Sequence, residues 1–223
     1  MVISKIKIKN FKKFKNLSLN LNSEKNIFIG ENGAGKSSII EGISYVLSGN
    51  IQLIDKIGKQ SLFNTEVIKQ FLASNKDYKD LPILSIELFI TSNPNFELEG
   101  KHNSEEKECS GLVMKIKPNE NYSQEIVDSL KESDTFPFDY YETEFKTFDG
   151  RTYNNYKRYL KYSFIDSSKI NSNIATQKFI ENIYKEKVGI DERIRLQHKY
   201  RKQNEDFSNN HLTFDNSDNY KLS

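Results

Sequence analysis

Hydrophobic and polar positions alternate from the first residues of the chain. Ile3, Ile6 and Ile8 stand among lysines and predict a half-buried first strand. Asn10-Phe11-Lys12-Lys13-Phe14 reads as a turn. Leu17, Leu19 and Leu21 then alternate with Asn and Ser, a period-two strand expected to pair antiparallel with the first. Asn26-Ile27-Phe28-Ile29 reads as a short buried strand running into a glycine-rich loop. Beyond it Ile39, Ile40, Ile43, Val46 and Leu47 recur at helical spacing, and Gly49 suits the helix C-terminus.

Residues 50–82 read as helix and loop, with Val67, Ile68, Phe71 and Leu72 as an apolar face. Pro82 to Ile90 is the strongest later strand. A polar excursion over 92–110 separates it from Leu112–Ile116, its expected hairpin partner. Tyr122 to Leu130 predicts a short helix, and Pro137 to Tyr141 opens an aromatic segment. Tyr159 to Ile165 reads as a strand ending at Asp166-Ser167-Ser168. Residues 176–204 form a long charged helical pattern broken near Gly189. Phe179, Ile180, Ile183, Tyr184 and Val188 stripe its first half. The second half, 193–206, is nearly all polar, so it needs a partner or projects into solvent. The tail, 208–223, is rich in Asn, Asp and Ser and is expected to be poorly ordered.

Composition narrows the picture. With 223 residues the chain can bury a real core, yet only 36% are hydrophobic and 29% are charged, so much of its surface is polar. A net charge of +2 is too small to argue for nucleic acid by itself. The single Cys109 excludes an internal disulfide framework and suits a reducing cytosol. No apolar run approaches the ~20 residues that span a bilayer, and the N-terminus lacks a signal-peptide core. A cytoplasmic protein without a membrane partner is expected.

The candidate chemistry lies at Gly30-Glu31-Asn32-Gly33-Ala34-Gly35-Lys36-Ser37, an ungapped match to G-x-x-x-x-G-K-S/T. Glycines free the loop to turn its N–H groups around phosphate oxygens. Lys36 places a point charge on the β and γ phosphates of ATP. Ser37 offers a hydroxyl to Mg²⁺, and Ser38 a contact to the α-phosphate. A helix beginning near Gly35 would aim its positive end at the same place. The loop follows two strands, unlike a kinase or small GTPase, where it usually follows the first. A small-molecule kinase is disfavoured on that ground. The run Tyr156-Lys157-Arg158-Tyr159-Leu160-Lys161-Tyr162 interleaves basic and aromatic residues, which suits either base stacking or an edge strand with snorkelling lysines.

"ISKIKIKNFKKFKNLSLNL" followed by "NIFIGENGAGKSSIIEGISYVL" resembles the N-terminal lobe of ABC-type ATPases of the SMC and RecF kind. It looks most like the ATPase half of OLD-family nucleases and related phage-defence ATPases. "FPFDYYETEFKTFDGRTY" and "YLKYSFIDSSKI" resemble the same lobe less specifically. The resemblance implies a basic residue near the nucleotide at the Asn10-Phe11-Lys12 turn. Lys12 or Lys13 is the candidate, a solvated turn lysine being the alternative. It also implies a nucleotide-sensing residue, often Gln, near Asp166. Asp166 is therefore a candidate metal or water contact beside Ser37, or simply a turn residue at a strand end.

Two family motifs are not found. Asp191-Glu192 is the only Asp-Glu pair, but Lys187-Val188-Gly189-Ile190 before it is not the apolar strand of a Walker B motif. Leu47-Ser48-Gly49 begins like a signature motif but is better read as a helix end. Asp55-Lys56-Ile57-Gly58 and Asn75-Lys76-Asp77-Tyr78 fail as GTPase motifs, and His102, His198 and His211 are scattered through polar segments. The expected architecture is an α/β P-loop lobe, a mixed sheet with an antiparallel β-rich flank. Residues 1–170 form the ATP-binding lobe, with a helical and hairpin insertion over about 50–130. Residues 171–207 form a helical arm that starts a dimerisation or coiled insertion, and 208–223 form the tail. The expected function is the ATP–Mg²⁺ binding half of an ATPase that controls a DNA-processing, repair or phage-defence activity, a coupled nuclease among the candidates. Such a half is incomplete for hydrolysis alone. A homodimer or a partner chain would supply Walker B and the signature, and DNA would be met by the complete assembly. A truncated piece, a degenerate gene and a natural half all fit. The alternative function is a non-catalytic, nucleotide-dependent interaction module. Without a Walker B strand beside it, the strand at 27–29 is expected to expose an apolar edge.

Overall fold

In a computed structural model the described residues are 2–91, 95–157, 159, 160 and 162. Beyond these they are 180, 184, 188, 189, 192, 195, 196, 198–200, 202 and 203. The chain divides into two compact units, Met1–Tyr162 and Ser163–Ser223.

The first unit is built on a six-stranded sheet. Strands β1 (Val2–Phe11) and β2 (Phe14–Asn20) form a hairpin, followed after the glycine loop by helix α1 (Lys36–Ser48). Three short helices follow: α2 (Ile51–Ile57), α3 (Lys59–Leu62) and α4 (Thr65–Leu72). Asn50 and Asn64 cap α2 and α4, their side chains accepting from the N–H groups of Leu53 and of Glu66 and Val67. Then come β3 (Leu84–Thr91), β4 (Glu99–Gly100), β5 (Cys109–Pro118), α5 (Ser123–Glu132) and β6 (Tyr141–Thr147). The order is β2-β1-β3-β5-β4, with β6 on the same edge of β5 as β4. Every pairing among the described residues is antiparallel.

Period-two alternation places the core on one face of this sheet. Ile6, Ile8, Leu84, Ile86, Leu88, Leu112, Met114, Ile116 and Phe145 are buried there. Each fully buried aliphatic side chain contributes about 1.5–3 kcal/mol. Helix α1 packs across this face. Gly42 makes the close approach, since a Cβ there would lie 3.1 Å from Ile86 Cδ1. The opposite face is polar apart from a small buried cluster of Phe89, Val113 and Phe148. Lys5 and Lys7 pair with Glu105, and Lys117 with Glu142 and Glu144.

The helix after the loop, the cap at Gly49 (φ 56°) and the β1–β2 hairpin agree with the sequence expectations. Three expectations need correction. Residues 26–29 are not a buried strand: they carry no ladder, and Ile27 and Ile29 are 67% and 90% exposed. A strand needs a neighbour, and no described strand lies beside them. Segment 141–147, read only as aromatic, is strand β6. Tyr159, Leu160 and Tyr162 are not in a strand, so the edge-strand reading of that run fails for them. Arg158, Lys161, Ser163–Ile165, Asp166 and the tail at 208–223 lie outside the described residues. In the second unit Ile180, Tyr184, Glu192, Arg195, Leu196, His198–Tyr200, Lys202 and Gln203 are helical, whereas Val188 and Gly189 are not. This matches the break expected near Gly189.

Candidate functional site

The glycine loop sits between the extended segment 25–30 and the N-terminus of α1. Gly33 (φ 78°) and Gly35 (φ 99°) occupy the left-handed region, which a Cβ disfavours. Gly35 is also the N-cap of α1 and makes no side-chain cap, and the first turn carries no acidic residue. Ala34 N–H closes a turn onto Glu31 O at 3.1 Å. Among the described residues nothing accepts from the N–H groups of Asn32, Gly33, Gly35, Lys36 or Ser37. These donors and the positive end of α1 therefore suit an anion.

Lys36 folds back over the loop. Its ammonium donates to Gly30 O at 2.5 Å and to Glu31 O at 2.7 Å. Lys13, from the tip of the β1–β2 hairpin, donates to Gly33 O. A cleft of about 350 Å³ is lined by Lys12, Lys13, Asn32, Gly33, Ala34, Gly35, Lys36, Ser37 and Ser38. Nine of the expected site residues thus meet in one place. Gly30 and Glu31 belong to the loop but do not line the cleft. Asp166 lies outside the described residues.

The lining holds three lysines and no carboxylate. Its charge matches a polyphosphate. The Ser37 hydroxyl is a hard oxygen of the kind Mg²⁺ takes alongside phosphate oxygens. The fit is partial, because a carboxylate ligand is not in the lining and no cluster of His, Cys, Asp and Glu suited to a metal occurs among the described residues. The carboxylates of Glu87 and Asp139 are elsewhere and do not line this cleft. Glu87 is buried on the polar face of the sheet, accepting from Ser104 N–H at 2.8 Å and Ser104 Oγ at 2.6 Å. Asp139 is exposed beside the aromatic cluster of Phe136 and Phe138.

Two contributors were not visible in the sequence. Glu41 of α1 forms an ion pair with Lys12, and the Phe14 ring lies against Gly35, where an added Cβ would come within 2.4 Å of Cζ. Both contacts are long-range, so no local spacing announces them.

The glycine loop, the helix N-terminus behind it and the converging lysines define a nucleotide-binding P-loop lobe. The family model described as "AAA domain" matches residues 5–221, and the chain belongs to that family. Its curated relatives include the DNA replication and repair protein RecF of Colwellia psychrerythraea, 29% identical over 83 residues, 37% of this chain and 21% of that protein. They include the chromosome partition protein Smc of Halothermothrix orenii, 33% identical over 94 residues, 40% of this chain and 7% of that one. The chain therefore matches only 21% and 7% of these relatives' length. A solved chain from work on ATP-driven dimerization and DNA stimulated activation of SMC ATPases aligns at a TM-score of 0.37 and 16% identity. That alignment covers 70% of this chain and 74% of the other. The sequence relatives are thus of the RecF and Smc kind.

Proposed function

We propose that this chain binds ATP–Mg²⁺ in the P-loop cleft, and that binding controls assembly with a second copy or partner chain in a DNA-processing or phage-defence system. The observation that carries the reading is the cleft lining itself: loop N–H groups without an acceptor among the described residues, Lys36 and Ser37, with Glu41 the carboxylate paired to Lys12 from outside the lining. Lys36 would leave the Gly30 and Glu31 carbonyls for the stronger acceptor, a phosphate oxygen. Mg²⁺, when bound, neutralises phosphate charge, and Ser37 would hold it together with phosphate oxygens.

The same lining lacks a group to orient an attacking water. Phosphoryl transfer depends on positioning and electrostatic stabilisation, so hydrolysis needs groups supplied from outside the cleft lining. The exposed Ile27 and Ile29 favour a route for that supply. They belong to a segment that carries no ladder among the described residues, against which a strand of another chain can add. The names of the relatives, RecF and Smc, support a role with DNA. The OLD-like and defence readings rest on the quoted segments alone, and a cytoplasmic site of action on the lone cysteine. No helix among the described residues is long and apolar enough to cross a membrane.

The test is calorimetric titration with MgATP beside a steady-state phosphate-release assay, with and without duplex DNA. Binding without turnover by the isolated chain is expected. Sustained turnover abolished by Lys36→Ala would overturn the need for outside groups. Partner binding that ignores nucleotide would favour the non-catalytic interaction module instead.

A further inference from the structure

A second cleft, of about 320 Å³, opens on the polar face of the sheet and shares no lining residue with the P-loop cleft. Strand register builds it. Lys7 stands opposite Ser18 on β2 and Glu87 on β3, and Lys9 stands opposite Asn16 and Ser85. Ile6, Ile8 and Ile86 point into the core, so alternation turns these two rungs the other way. Ser104, from the loop before β5, completes the lining.

Glu87 is the unusual member. It is only 2% exposed, yet no ion pair reaches it among the described residues. Its carboxylate accepts from Ser104 N–H at 2.8 Å and from Ser104 Oγ at 2.6 Å. A carboxylate offers about four acceptor sites, so about two are left over. The lysine opposite is engaged elsewhere. The Lys7 ammonium lies 3.1 Å from Glu105 and donates to Ser104 Oγ at 2.9 Å. A buried charge is ordinarily paired. Lys9, on the next rung, is exposed and makes no ion pair or hydrogen bond with its side chain among the described residues. The side chains of Asn16, Ser18 and Ser85 make no hydrogen bond there either.

Charge selects the ligand class. A plain anion would meet the buried Glu87, and a plain cation would meet Lys9. A molecule carrying both charges satisfies both groups. We propose that this cleft binds a small zwitterion of the α-amino acid class. Its ammonium donates to Glu87, its carboxylate accepts from Lys9, and Asn16, Ser18 and Ser85 supply neutral hydrogen bonds beside it. Glu87 and Lys9 are diagonal neighbours across β1 and β3, a Cβ separation of roughly 7–8 Å, which the two ends of an amino acid span with the help of the flexible lysine stem. Hydrogen bonds to charged groups on both ends make the recognition strong for so small a ligand. The site stands apart from the nucleotide reading and does not depend on it.

The test is saturation-transfer NMR of the full chain with each standard amino acid at millimolar concentration, followed by titration of those that respond. At least one should bind saturably. Its N-acetyl and methyl ester derivatives each lack one charge and should bind at least tenfold more weakly. K9A should weaken the same amino acid at least tenfold, with K9R within about threefold of the parent. Thermal melts report folding, and K9A should melt like the parent because Lys9 has no partner to lose. E87Q should weaken binding as well. Silence from every amino acid overturns the proposal. Binding of inorganic phosphate or spermidine in their place also overturns it, since the cleft would then be a simple anion or cation site. An N-acetyl form that binds like the free amino acid overturns the Glu87 contact, and K9A that binds like the parent overturns the Lys9 contact.

Discussion

Gly35 shows how much one residue can carry. Its left-handed φ turns the loop into α1, and its missing side chain admits Phe14 and the stem of Lys13. Gly35→Ala would meet both restrictions at once. The backbone conformation alone costs about 1–2 kcal/mol for an L-residue. Urea denaturation should show at least that loss, and ATP binding should fall with it. A G35A variant with parent stability and affinity would contradict the described packing of the hairpin on the loop. Glu105 offers a second test at this scale. Hydrogen bonds from Lys5 and Lys7 hold its carboxyl well below the usual 4.5, at about 2. A carboxylate depressed in the folded state contributes stability above its unfolded value, and loses it as pH falls through the folded value. The parent should therefore melt higher than E105Q at neutral pH. The gap should close as pH falls from 4.5 towards about 2. A gap independent of pH would show that the Lys5–Glu105–Lys7 group contributes nothing through charge.

At the scale of elements, α1 is held at both ends. Its start is tied to the β1–β2 tip. Its end is closed by Gly49 and by Tyr153, whose hydroxyl donates to Val46 O at 2.7 Å. Burial pushes the Tyr153 phenol well up, so it remains a neutral donor. Tyr153→Phe leaves the buried Val46 carbonyl with one acceptor site unused and should cost about 1–3 kcal/mol by denaturation. No measurable change would mean that the helix end is held by packing alone. The elements also explain what sequence reading could reach. β1, β2, β3 and β5 were legible because Ile, Leu and Met occupy nearly every inward position. β6 was not, because two of its inward residues are Thr143 and Thr147, which dilute the period-two signal even though Thr147 is fully buried. Segment 26–29 misled in the opposite sense. Its apolar run satisfies strand propensity, but a strand is defined by pairing, and pairing is not written in the run itself. The P-loop was legible as a contiguous motif. The partners of Lys12 and Lys13 were not, because they lie 29 and 20 residues away along the chain.

For the whole molecule, the exposed Ile27 and Ile29 and the carboxylate-free cleft point the same way. The proposed phosphate cleft stands near a segment that has no ladder among the described residues. Exposed apolar edges drive association, so the parent chain should self-associate or capture a strand-donating partner. Sedimentation velocity of an Ile27→Ser/Ile29→Ser variant should show less association than the parent. Equal association would exclude this edge as the contact. The central claim is that Gly30–Ser38 holds the phosphates of ATP. Its most direct test is calorimetric titration of the parent and Lys36→Ala with MgATP. The account predicts saturable binding by the parent and at least a tenfold weaker variant, about 1.4 kcal/mol. Indistinguishable binding curves for the two would contradict it.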